Sequence, residues 1–237
     1  MKRSILTLLS LIALFTTPSC RKVSGEGPTV TQAYSVSNFT SVDAGIDAEV
    51  YYTQGSSYSV QINGQQNVLN QIETPVVGGE LRLQFRNMFT IWHHAPITVY
   101  VTSPYLSGMG INGSGHFYAL SPTTSSTLSL KVNGSGSISV ANYTGQSLSA
   151  NISGSGDITV SGGSVSAESL QISGSGTMDM LGVKAVSAST QTSGSGKTTV
   201  NVSNSLDVRI SGSGDVYYTG NPAIYTSISG SGKVMKL

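Results

Sequence analysis

The triplet Gly-Ser-Gly returns seven times in the second half of this chain, at 113–115, 134–136, 154–156, 174–176, 194–196, 212–214 and 230–232. Successive triplets are 18 to 21 residues apart. Around each one the apolar residues keep a single parity: Leu130, Val132, Gly134, Gly136, Ile138 and Val140 alternate with Lys131, Asn133, Ser135, Ser137 and Ser139. Period-two alternation marks a strand with one buried face. Self-similarity near 20 residues, built from strand-like units, predicts a solenoid in which one repeat is one turn. The fold class is therefore all-β, a parallel β-helix with about 20 residues per turn.

A lone turn cannot bury its apolar row, but stacked turns place Val132, Ile152, Ile172, Ile210 and Ile228 in one interior column. Thr192 interrupts that column and makes its turn the weakest layer. At ~4.8 Å per turn, seven turns rise about 34 Å. Both glycines of every triplet lie on the inward parity: Gly113 and Gly115, Gly134 and Gly136, Gly154 and Gly156, Gly174 and Gly176, Gly194 and Gly196, Gly212 and Gly214, Gly230 and Gly232. There a bend either leaves no room for a Cβ or demands a backbone that glycine adopts most cheaply. These are the structural turn residues. Other repeats fit poorly: the Leu-x-x-Leu-x-Leu frame is missing, and a calcium β-roll needs a nine-residue period. A Gly-Ser linker would lack the apolar alternation.

Residues 30–108 are strand-rich but less regular. Partial alternation over Val42–Thr53, then Tyr58–Ile62, Glu80–Phe85 and Ile97–Val101, reads as strands, with one or two helical turns over Gln65–Ile72. An excursion at Met88–Pro96 separates the last two. This stretch is expected to form the first turns of the same solenoid, so that 30–237 is one domain, irregular over 30–108 and regular over 109–237.

The N-terminus carries an address. Lys2 and Arg3 precede an apolar run from Ile5 to Phe15, too short to span a bilayer comfortably. Small Ser19 directly before Cys20, the only cysteine, resembles a bacterial lipoprotein signal. Residues 1–19 then read as a signal peptide, Cys20 as the lipidation site, and 20–29 as a flexible tether. Arg21 and Lys22 directly after Cys20 favour an outer-membrane lipoprotein facing the periplasm over one at the cell surface. A balance of 12 cations and 11 anions gives no strong field, and nucleic acid is not an expected partner.

Gly110-Ile-Asn112 running into Gly113-Ser-Gly115, the recurring I-x-G-S-G-x-I rows, Phe39–Val50, Ser59–Gly64 and Leu81-Arg-Leu83 together resemble the head GIN domain family of adhesin-type proteins. The resemblance spans roughly Val36 to Leu237. It implies a single-stranded right-handed β-helix, often borne by envelope lipoproteins, and supplies no catalytic motif.

Candidate chemistry is sparse. Gly108-Met-Gly110-Ile-Asn-Gly113 matches a dinucleotide fingerprint on paper, yet strand-like residues follow it and 81–156 contain no acid. No cofactor and no metal are expected. Stacking by triplet register places His116, Ser137, Asp157, Thr177, Lys197, Asp215 and Lys233 in one outward column, a charge ladder more than an acid pair. Trp92, His93 and His94, in the excursion, are the candidate ligand contacts. Adjacent histidines on a strand would face opposite ways. Asn112, Asn133, Ser153, Ser173, Ser193, Ser211 and Ser229 form a polar strip. The expected role is a membrane-anchored adhesin-like or structural protein that binds a glycan or a surface protein, and homo-oligomerisation through a flank is open. The alternative is a polysaccharide-degrading enzyme, on analogy of fold.

Overall fold

Alternation becomes strand and each triplet becomes a corner. The structure, a computed structural model, describes residues 21–237; the signal-like segment and Cys20 lie outside the described residues. The chain begins with β1 (Arg21–Val23) and β2 (Thr29–Tyr34), then β3 (Ser41–Ala44), β4 (Glu49–Gln54) and β5 (Ser59–Gln65). One helical turn, α1 (Gln66–Leu69), precedes the short β6 (Ile72–Glu73) and β7 (Val76–Val77). Next come β8 (Glu80–Phe85), β9 (Phe89–Ile91) and β10 (Thr98–Ser103).

The regular array starts with β11 (Gly108–Gly113) and β12 (His116–Ala119), either side of the first triplet corner. After β13 (Thr123–Thr124), β14 (Thr127–Gly134) and β15 (Ser137–Val140) repeat that floor. Above them lie β16 (Tyr143–Gly154), β17 (Asp157–Val160), β18 (Gly163–Gly174), β19 (Thr177–Gly194) and β20 (Lys197–Gly212). The last floors use β21 (Asp215–Thr219), β22 (Ala223–Gly230) and β23 (Lys233–Lys236).

All pairings in the array are parallel, and the register holds from floor to floor except between β19 and β20, where it shifts between Met180 and Lys184 and between Ala185 and Ser187. Ile111, Val132, Ile152, Ile172, Thr192, Ile210 and Ile228 stand over one another, as do the first glycines of the triplets. The column is buried up to Ile210. Ile228, expected inside, is 42% exposed because no described floor lies over β22. Thr192 is buried with its hydroxyl unpartnered, and so is Thr190 beside it.

The two glycines of a triplet do different work, and the shared inward parity expected of them holds only for the second. The first glycines, Gly113, Gly134, Gly154, Gly174, Gly194, Gly212 and Gly230, are half-buried or exposed, with φ between +125° and +133°. That conformation turns the chain before the strand parity can carry the residue inside. At Gly113 an added Cβ would meet nothing within 4 Å, so conformation alone demands glycine there.

Above Gly113 a Cβ on a first glycine would also overlap the carbonyl oxygen of the first glycine in the floor below, whereas the second glycines lack room without a positive φ. Gly115, Gly136, Gly156, Gly176, Gly196 and Gly214 are buried, whereas Gly232, in the last described floor, is half-buried. A Cβ on Gly156 would overlap the Gly136 carbonyl oxygen and lie 2.6 Å from Val132 Cγ1. The same pair of obstacles, a carbonyl of the floor below and a core side chain, recurs up the stack. It is Gly156 and Ile152 for Gly176, Gly176 and Ile172 for Gly196, Gly196 and Thr192 for Gly214, and Gly214 and Ile210 for Gly232. Corner amides bond down the stack, as Ser155 N–H donates to the Gly134 carbonyl at 3.0 Å.

The first floors depart from the sequence-based expectation. β3 pairs in parallel with both β8 and β11, and β4 with both β10 and β12. The floor met first in the chain is therefore second in the stack, beneath β11–β12 and above β8–β10. Between them the chain leaves the wall. β5 runs antiparallel to β10 on one edge and to β2 on the other, and β6 and β7 run antiparallel to β8. With buried Val68 and Leu69 of α1, these strands close the lower end of the core. They cover edges that would otherwise template further pairing. Only part of 30–108 is thus solenoid; the rest is a cap.

The segment read as a tether is also tied down. β1 pairs with β9, Gly25 N–H donates to the His93 carbonyl at 2.6 Å, and Asn67 Nδ2 donates to the Ser24 carbonyl at 2.7 Å.

Candidate functional site

In the lowest floor, Leu83 stands under Ala44 and Thr98 under Glu49. The chain between them replaces the four-residue corner of the next floor, Gly45–Ala48, with the longer excursion that carries β9, Trp92, His93 and His94. That excursion overhangs the corner edge and encloses a cleft of about 400 Å³, lined by Asp47, Glu49, Trp92, His93, His94 and His116. The two adjacent histidines sit on a bend rather than a strand, and both line the cleft, contrary to the opposite-face expectation. His94 is held by its ring Nδ1, 2.7 Å from the Ala95 carbonyl, while Ala95 N–H donates to Gln65 Oε1 at 2.9 Å. His116 Nδ1 lies 2.8 Å from Ser137 Oγ in the floor above. Trp92 is edge-on to His93, and the Lys22 ammonium lies 4.4 Å from the Trp92 ring centroid.

Two residues along the same wall stand three tyrosines. The Tyr51 ring stacks on Tyr100 of the floor below and on Tyr118 of the floor above, with centroids 5.6 and 5.2 Å apart. Because the rings cover one another, the strip offers their edges and hydroxyls. The Tyr51 hydroxyl donates to Glu49 Oε2 at 3.0 Å and ties the strip to the cleft. That hydrogen bond raises the Tyr51 phenol above its ordinary value. Asp47, Glu49 and the tyrosines escaped sequence reasoning, since the floors that juxtapose them are not consecutive in the chain. Their outward parity was the only available signal.

The outward column extends from Glu49 through His116, Ser137, Asp157, Thr177, Lys197 and Asp215 to Lys233. Its charges do not form ion pairs among the described residues. Lys197 lies over the Tyr217 ring at 4.8 Å, and Asp215 accepts the backbone N–H of Lys233 at 3.0 Å. Asp157 and Asp215 have Thr177 and Lys197 between them. On the neighbouring wall, Asn133 donates to Asn112 at 2.8 Å and Asn112 to Asp43 at 2.6 Å. Burial, then the Glu80 charge, pushes the Asp43 carboxyl up. Gly110 of the dinucleotide-like string is explained here, because a Cβ would overlap the Asp43 carboxylate.

One acid lies inside. Glu168 is 3% exposed in the column Leu148–Glu168–Ala188, and neither carboxylate oxygen has a partner. Burial raises its pKa to about 8. Among the described residues no three His, Cys, Asp or Glu side chains cluster to hold a metal, and no helix is long and apolar enough to cross a membrane.

Comparison with known proteins follows the same lines. A crystal structure of a "putative adhesin" from Bacteroides fragilis is 26% identical, with a TM-score of 0.86, covering 91% of this chain and 100% of its own. A "putative lipid binding protein" from Parabacteroides distasonis, 24% identical, shares the fold at a TM-score of 0.75 over 92% of this chain and 100% of its own. A "putative adhesin" from Parabacteroides merdae, 20% identical, does so at 0.74 over 92% and 99%. No curated protein matches the chain. The family model described as "putative auto-transporter adhesin, head GIN domain" matches residues 38–222, most of the solenoid and its cap, and the chain belongs to that head GIN domain family.

Proposed function

We propose that this is an envelope lipoprotein, anchored through Cys20 and facing the periplasm, whose corner cleft binds glycan in an adhesin-type role. The observation that carries the reading is the convergence of exposed Trp92, three histidines and two carboxylates in one open cleft beside the tyrosine strip. An indole face packs against the apolar face of a sugar ring, while carboxylates and imidazoles hydrogen-bond its hydroxyls. The rigid solenoid holds these groups without a moving part. Membership of an adhesin-type family supports the role, and Arg21 and Lys22 after Cys20 support the orientation.

A glycan array probed with the purified protein tests the site. Trp92→Ala is expected to lower binding about tenfold, with Lys233→Ala as an unaffected control. No bound glycan across a broad panel would sink the reading and leave a structural role. For the anchor, Cys20→Ser moves the protein from the membrane fraction to the soluble one. An unchanged membrane signal would defeat lipidation. The polysaccharide-degrading alternative rests on fold analogy alone.

A further inference from the structure

The excursion also carries a surface on the side where the chain enters, and it shares Trp92 with the cleft, so that bilayer and glycan compete for the indole. In the ribbon of β1 and β9, Arg21 stands opposite Phe89, Lys22 opposite Thr90 and Val23 opposite Ile91. Period two sorts its side chains. Val23, Phe89 and Ile91 are half-buried, and Ile91 packs on the core. Lys22 shares the other face with Trp92, and Met88 stands at the end of the ribbon beside Arg21, with Met88 62% and Trp92 56% exposed. Met88 holds φ at +73°, a left-handed turn that glycine or asparagine adopts more cheaply. A long apolar side chain is thus presented to solvent at a conformational cost that no burial in this chain offsets.

The Arg21 N–H donates to the Met88 carbonyl at 2.8 Å. Arg21 is the first described residue, and Cys20 precedes it directly in the sequence. The described chain therefore begins beside Met88. Arg86, nearby in sequence, is already paired with Glu73 at 3.2 Å, whereas Arg21 and Lys22 are exposed.

We propose that the outer face of this ribbon, Lys22 and Trp92, together with Met88 and Arg21 at its exposed end, docks on the surface of an anionic bilayer, an inference that rests on lipidation of Cys20. An indole belongs at headgroup level, the methionine side chain enters the acyl boundary, and Lys22 and Arg21 meet lipid phosphates. Docking presses the capped floor against the headgroups and sends the triplet floors away from them. The head is then seated, and does not swing on a leash.

Trp92 is the only tryptophan, so its emission reads the contact directly. The wild-type protein, purified in detergent, is first checked for acylated Cys20 by the mass of its N-terminal peptide. It is then reconstituted in phosphatidylethanolamine–phosphatidylglycerol vesicles containing brominated lipid. The docked indole is expected to shift to the blue and lose at least about half its emission, relative to Cys20→Ser protein in buffer. The pair Arg21→Glu and Lys22→Glu, or Met88→Asp alone, should restore most of it, with circular dichroism confirming that each variant folds. An unacylated peptide overturns the anchor and the docking with it. Acylated protein with unquenched, unshifted Trp92 emission overturns the docking alone.

Discussion

The triplet array and the first floors are built from the same strands, but they solve the stacking problem differently. In the array each corner consumes only a Gly-Ser-Gly and its flanks, so the chain can do nothing but climb, and neighbours in sequence become neighbours in space. In the first floors the loop between β4 and β8 is long enough to leave the wall, lay β5 and α1 across the open end, and re-enter below the floor it left. The corner that follows, between Leu83 and Thr98, carries every candidate ligand contact that the sequence picked out. Regularity gives a rigid rod. The candidate site lies where the regularity is given up, because a long corner has side chains free to converge on a cleft.

That contrast can be broken most severely inside the array. Gly156→Val would drive side-chain atoms into the Gly136 carbonyl and Val132, and it should cost on the order of 5 kcal/mol, a loss of cooperative folding by circular dichroism. A valine at Gly27, where the space is open but φ is +75°, should cost only local backbone strain of about 2 kcal/mol and leave the fold standing.

Next is Glu168. Its folded pKa, about 8, is above the ordinary value of 4.5, so between these pH values the folded chain keeps a proton that the unfolded chain has released. Stability from this group is present below about pH 4.5, falls as pH rises and levels off above about pH 8, in total roughly 5 kcal/mol. Glu168→Leu, matching Leu148 below, should abolish that slope and raise stability at pH 9 in denaturant titrations. An unchanged slope would mean that the carboxyl is solvated.

Gly113→Ala tests conformation without crowding and should cost about 2 kcal/mol, well under the cost at the second glycines. The smallest effect is expected at the outward ladder. Lys197→Ala loses only an exposed contact with Tyr217 and should change stability by about 0.5 kcal/mol or less.

The array was legible almost residue by residue. Val132, Ile152 and Ile172 stack as parity and spacing require, and the column from His116 to Lys233 keeps its order, because a parallel strand fixes its neighbours once one pair is fixed. The corners were legible as corners, but parity alone could not separate Gly174, whose positive φ turns the chain, from Gly176, which sits against the Gly156 carbonyl of the floor below. The cap was legible as elements and not as topology. Strands over 80–85 and 97–101 and one or two helical turns over 65–72 were expected, yet nothing in their patterns says that β8 and β10 slide beneath β3 and β4. The site was half legible: Trp92, His93 and His94 stood out by type, whereas Asp47, Glu49 and the three tyrosines join them only through that reordering.

By itself, the sequence determined the wall, the corners and the buried row, since alternation and a fixed period are local rules that each turn repeats on the last. Tertiary structure decided the order of the first floors, the closing of the lower end, the docking of residues 21–25 against the excursion, and the cleft that results. Those features depend on contacts between segments far apart in the chain, where pairing is chosen by the free edge available and not by any pattern within the segment.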